Sequence, residues 1–213
     1  MKYIDMETWK RRKQYEMFKE MELPHFNICS NVDVRELKSY CRERKLSFFK
    51  TVLYFISRVV NEIPELRTRI RENGIVEHPV VNPSFTVLGE DELFGFARTK
   101  HKEDFVEFYE GVEKAIEGVK DNVTPDFDAD MDSDFYLTTL PWVSFTSIQH
   151  PMHIVKGDSV PRIAMGKYFE EGEKLLMPVA LQAHHGLADG VHAGKFYMRL
   201  DEYLRTPGEF LDR

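Results

Sequence analysis

The stretch 47–60, SFFKTVLYFISRVV, is the most apolar in the chain and constrains the fold more than any other. It carries Lys50 and Arg58 and is too short to cross a bilayer, so it reads as a buried helix. Ser47 marks its start, and Pro64 disfavours helical geometry in the residue before it, which sets the end. At 213 residues the chain is long enough to bury a substantial core, and residues 1–213 are expected to form a single domain. With 42% hydrophobic and 31% charged residues, the composition is that of a soluble globular protein and not of a disordered or fibrous one.

The formal net charge of −7 argues against a nucleic-acid partner, whose affinity would come from clustered Lys and Arg. The run Lys10-Arg11-Arg12-Lys13 reads mainly as a solvated face; an anionic small ligand would need a local basic site of this kind. Two cysteines, Cys29 and Cys41, are too few for a disulfide framework and show no CxxC zinc spacing. MKYIDMETWKRR lacks the apolar core and cleavage site of a secretory signal, so the expectation is a cytoplasmic protein with no membrane partner.

Along the chain, 6–21 and 33–45 read as surface helices, the second opening with Asp33 and Glu36 in the pattern of a capping box. Between them, 25–34 is β-prone. Asn73-Gly74 predicts a type I′ turn and hence a β-hairpin, and 84–99 looks like a second one. A helix is expected over roughly 102–121, with Phe105, Phe108, Val112, Ile116 and Val119 at helical spacing. The acidic segment 121–134 reads as a loop and lacks the ordered spacing and glycine of an EF-hand. The stretches 134–148, 161–172 and 173–185 read as three strands, the last two joined across Glu171-Gly172. A final helix from Asp189 to Arg205 has Val191, Met198 and Leu204 able to face the core. The expected fold class is an α/β (α+β) two-layer sandwich, one mixed, mainly antiparallel sheet covered by helices.

The segment 182–192, QAHHGLADGVH, carries the chemistry. Strand alternation puts His184 and His185 on opposite faces, so one of them is expected to be structural. Asp189 suits the N-cap of the final helix. His185, Asp189 and His192 have metal-ligand spacing for a helical face, but Gly186 and Gly190 interrupt any helix there, so no metal is expected. A neutral imidazole is better suited to take a proton from an alcohol near neutral pH.

HHGLADG matches the HHxxxDG signature of the CoA-dependent acyltransferase superfamily. TWKRRKQYEMF, PELRTRI, FTVL, LPWVSFTS, MGKYFEEGEKLLMP and QAHHGLADGVH resemble chloramphenicol acetyltransferase segments in the same order. The resemblance implies a homotrimer with active sites at subunit interfaces, acetyl-CoA as acetyl donor, a small-molecule hydroxyl acceptor and a role in antibiotic resistance. By the same resemblance, His185 is the general base and His184 its structural neighbour. Ser147 donates to the oxyanion, and Asp189 pairs with Arg11 to hold the catalytic loop. Lys167 and Tyr168 meet the phosphates and adenine of CoA, while Phe18, Val160 and Ala164 line the acceptor pocket.

Three acceptor-side positions depart from the family pattern. Ala164 replaces a threonine, Asp158-Ser159-Val160 replaces an aromatic segment, and Val191 replaces the aromatic residue after HHxxxDG. The implied reaction is O-acetylation of chloramphenicol. Its alternatives are acetylation of a more polar hydroxyl acceptor, for which Asp158 and Ser159 would make the pocket polar, and a non-catalytic binding trimer.

Overall fold

The computed structural model describes residues 1–89, 92–120, 131–153 and 157–212. The stretch 47–60 forms the centre of helix α3 (Phe48–Glu62), buried along most of its length. Ser47 caps it by accepting from the Lys50 N–H at 3.5 Å, and the helix stops at Glu62, before Ile63 and Pro64. Its two cations escape burial by leaning outward. Lys50 pairs with Glu113 at 2.8 Å, and the Arg58 guanidinium lies 4.9 Å from the centre of the Tyr203 ring.

Around α3 pack α2 (Arg35–Arg44), α4 (Phe105–Lys120) and α5 (Gly190–Arg205), with α1 (Arg12–Phe18) and α6 (Pro207–Leu211) at the periphery. Helices α2 to α5 cover one face of a sheet ordered β2 (His25–Asp33), β10 (Lys174–His184), β8 (Arg162–Gly166), β7 (Asp134–Leu140), β5 (Asn82–Leu88) and β6 (Phe94–Arg98). β9 (Phe169–Glu171) pairs with the start of β10. β7 runs parallel to β8 and β5, and the other pairs are antiparallel. This is the mixed, mainly antiparallel, helix-covered sheet expected from the sequence. A smaller sheet joins β1 (Lys2–Tyr3), β4 (Gly74–Glu77) and β3 (Thr68–Arg71).

Alternation along the strands divides the sheet chemically. Phe85, Leu137, Ile163, Met165, Val179 and Leu181 join the core beneath the helices, each contributing about 1.5–3 kcal/mol by its burial. Asn27, Gln182, Arg162 and Tyr136, in register across β2, β10, β8 and β7, occupy the other face.

Several local expectations are corrected. The first helix shrinks to seven residues, with Trp9 and Arg11 ahead of it and Met17 and Met21 exposed. The capping box at Asp33 does not form: Val34 is the N-cap, and the Asp33 carboxylate accepts from the Arg35 and Leu175 N–H groups. The predicted first hairpin forms, but only Gly74 takes a positive φ (+130°) and Asn73 does not, so the turn is not type I′. β7 ends at Leu140, where Pro141 cannot donate to a ladder, so 141–148 is loop rather than strand. The stretch 161–172 splits into β8 and β9. Val191 and Met198 are 65% and 76% exposed; Ala193, Phe196, Leu200 and Tyr203 supply the buried face of α5 along with Leu204. Residues 121–130 of the acidic segment lie outside the described residues.

Candidate active site

β10 ends on His184, and its register partner on β2 is His25. The two rings meet edge-on at 5.0 Å and 81°. His184 Nδ1 accepts from the Gly186 N–H at 3.1 Å, which puts the ring proton on Nε2. Burial, then the neighbouring His25 and His185, push its pKa down to about 4, so it is neutral at physiological pH. Gly186 leaves the room for this fit. A Cβ there would lie 3.1 Å from the His184 ring and 3.2 Å from the Tyr15 Cα.

His185 turns the other way and is half-buried. Its N–H donates to the Pro24 carbonyl at 2.7 Å, and its ring stacks on Phe18 at 4.0 Å and 7° while meeting the edge of Phe26 at 5.1 Å. His185 Nδ1 is buried without a hydrogen-bond partner among the described residues.

The loop that follows is tied down by charge. Arg11 Nη1 donates to Asp189 Oδ2 at 2.7 Å, and its Nη2 donates to the His185 carbonyl at 3.3 Å. Asp189 is also the N-cap of α5. Its Oδ1 accepts from the Val191 N–H at 3.0 Å, and its own N–H donates to His192 Nδ1 at 3.1 Å. Burial alone would raise the Asp189 pKa, but the bonds from Arg11 and Val191 outweigh it and hold the carboxyl below its usual range. Arg11 and Phe18 bracket α1, so one short helix delivers both contacts to His185. His192 serves this cap and Glu65, and among the described residues no group of His, Cys, Asp or Glu is arranged to hold a metal.

The acceptor-side residues sit elsewhere. Ala164 is fully buried on the sheet face turned from the core, in register with Ala180 on β10 and Thr138 on β7. Val160 is buried just before β8; its carbonyl accepts from Arg162 at 2.9 Å. Asp158 and Ser159 do not present free polar groups, contrary to expectation. Asp158 is spanned by the Arg162 guanidinium, with Nη1 at 3.1 Å, and the Ser159 hydroxyl accepts from the Ile70 N–H at 2.8 Å. Ser147 lies exposed in the loop after β7 and makes no hydrogen bond to His185 in the single chain.

Lys167 and Tyr168 occupy the turn between β8 and β9, both exposed. Lys38 on α2 stands 3.5 Å from the centre of the Tyr168 ring and bonds its hydroxyl. An aromatic face with two cations suits an adenine carrying phosphates. The β9–β10 register puts Tyr168 level with Met177, roughly 25 Å from His185 along the strand.

A family model described as chloramphenicol acetyltransferase matches residues 1–201. The chain belongs to the chloramphenicol acetyltransferase family. Chloramphenicol acetyltransferase 3 of Escherichia coli is 29% identical over 211 residues, covering 95% of this chain and 96% of that protein. A Klebsiella chloramphenicol acetyltransferase is 27% identical over 201 residues, covering 94% and 92%. A solved chloramphenicol acetyltransferase superposes with a TM-score of 0.86 at 29% identity, covering 95% of this chain and 99% of the other. Family membership makes the chain an acyltransferase and supports acetyl transfer, and the family uses acetyl-CoA as cosubstrate.

Within one chain, then, the structure brings together Arg11, Phe18, His184, His185 and Asp189. It leaves Lys167 and Tyr168 far along β10, Ala164 in mid-sheet on the face turned from the core, and Val160 just before β8. Sequence reasoning passed over Thr138. The strand period in DFYLTTL puts Thr138 on the same face as Tyr136, but its place beside Ala164 depends on a register that a sequence does not display.

Proposed function

We propose that the chain transfers the acetyl group of acetyl-CoA to a hydroxyl of chloramphenicol, the compound named in its relatives' descriptions, with His185 as general base. The carrying observation is the restraint on His185. Its ring is clamped against Phe18, its N–H and carbonyl are both bonded, and Arg11–Asp189 anchors the loop. A base held this way is oriented before the acceptor arrives, and general-base catalysis contributes about 10²–10⁴-fold. The imidazole takes the acceptor's hydroxyl proton as the alkoxide attacks the thioester carbonyl, and returns it to the departing CoA sulfur as the intermediate collapses.

The oxyanion needs a donor. Ser147 carries that role by resemblance, but Thr138 has the better setting, a half-buried hydroxyl on the rigid sheet beside Ala164. Lys167 and Tyr168, with Lys38, would hold the head of acetyl-CoA. The separation of these groups from His185 favours a site completed by a second copy, as in a cytoplasmic homotrimer. Ala164 and Val160 would then face the partner's His185, with Phe18 beside that base.

Release of free CoA thiol from acetyl-CoA tests the reading. Chloramphenicol-dependent release by the parent, reduced at least about 10²-fold in His185→Ala with its melting temperature preserved, is expected. Absence of release from the intact protein overturns the acceptor assignment.

A further inference from the structure

On the sheet face turned from the core, Gln182 of β10 organises the segment above it. Its Oε1 accepts from the His150 N–H at 3.1 Å and lies 3.2 Å from His150 Nδ1. A peptide N–H only donates, so that amide atom is the oxygen, and His150 Nδ1 carries the ring proton. His150 Nε2 is therefore left as an acceptor, and it is buried with no partner among the described residues. Across the β2–β10 ladder, Asn27 donates through Nδ2 to the Ile148 carbonyl. Its Oδ1 is likewise a buried acceptor with no partner among the described residues.

Two orphan acceptors thus flank one glutamine. The charges nearby do not answer them, because Arg162 is committed to Asp158 and the Val160 carbonyl. Burial pushes the His150 pKa down, with Gln182 partly opposing, which keeps Nε2 an acceptor. Buried polar atoms without partners are rare in folded proteins.

Resting on the reading that the acceptor lies against the face carrying Ala164, we propose that Asn27 Oδ1 and His150 Nε2 form a subsite for a second hydrogen-bond donor of the acceptor. The acceptor class is then a neutral compound bearing an O–H or N–H beside the hydroxyl that is acetylated, such as a diol or an acylated amino alcohol, and not a simple alcohol. A simple alcohol would leave both acceptors unanswered.

The test compares the parent with Asn27→Leu and His150→Leu, using chloramphenicol, which carries a second hydroxyl and an amide N–H beside its primary hydroxyl. In each variant the chloramphenicol KM is expected to rise about tenfold or more, with the acetyl-CoA KM within about twofold of the parent's. The ligand-free variants should stay folded and melt within a few degrees of the parent, because each loses one made hydrogen bond along with one unanswered acceptor. An unmoved chloramphenicol KM overturns the proposal, as does a lowered melting temperature with both KM values and kcat impaired together, which is the mark of a structural role. If the parent acetylates no chloramphenicol, the acceptor assignment fails separately and melting decides the subsite. A chloramphenicol-induced rise in the parent that is lost in both variants supports it, and equal shifts, or none, overturn it.

Discussion

At the scale of single residues, Arg11 uses its planar fork to make two bonds from separate nitrogens: it pairs with Asp189 and reaches the carbonyl of His185. Side-chain exposures of 14% and 31% make this a partly buried pair, so Arg11→Ala or Asp189→Ala should cost about 1–3 kcal/mol, less than a fully buried pair. Urea unfolding measures that loss. Turnover should fall about 10–100-fold through misplacement of His185, and Arg11→Lys should restore stability better than activity. The lowered Asp189 pKa means the pair persists into mild acid and is lost only as pH falls through that lowered value. His184 behaves differently. Its folded pKa of about 4 lies below the ordinary value of 6.5, so the unfolded chain binds its proton first, and stability present above pH 6.5 declines as pH falls toward 4. Thermal unfolding across that window should show a loss on the order of 3 kcal/mol from this residue, absent in a His184→Asn variant that folds.

At the scale of elements, the close seating of α1 on the loop after His185 predicts that Gly186→Ala destabilises by about 1–3 kcal/mol, because Tyr15 backbone and the His184 ring must both give way. A thermal melt of that variant checks it, and CoA release should fall along with it. What could be read from the chain beforehand follows the range of each signal. HHGLADG is local, and so were the cap role of Asp189 and the opposed faces of the two histidines. Arg11 was legible only through family resemblance, since nothing in its own neighbourhood points to residue 189. Asp33 had the local pattern of a cap, yet a strand arriving from far along the chain, with its Leu175 N–H, claimed the carboxylate. The same reason hid Thr138, Asn27 and His150, whose surroundings are set by strand order and register. Ser147 was placed at a strand end because the apolar pattern runs past Pro141, where the ladder stops.

At the scale of the whole molecule, the proposed site, in which His185 of one copy faces Ala164 and Thr138 of another, predicts complementation. His185→Ala and a variant altered at Thr138, each inactive alone, should regain part of the parental CoA-release rate when unfolded together and refolded as a mixture. A site contained within one chain would give no recovery. The order of the main sheet has a further consequence, for synthesis. β2 borders only β10, and Asp33 pairs opposite Leu176, so a strand made early leaves the ribosome with its ladder edge unanswered until nearly the whole polypeptide has followed. Such long-range pairing is slow and leaves an aggregation-prone edge in the meantime. The strand that ends at His184, next to the proposed base, is also the one that closes this edge, so a nascent chain cut short before β10 lacks both the HHGLADG segment and the protection of its first long strand.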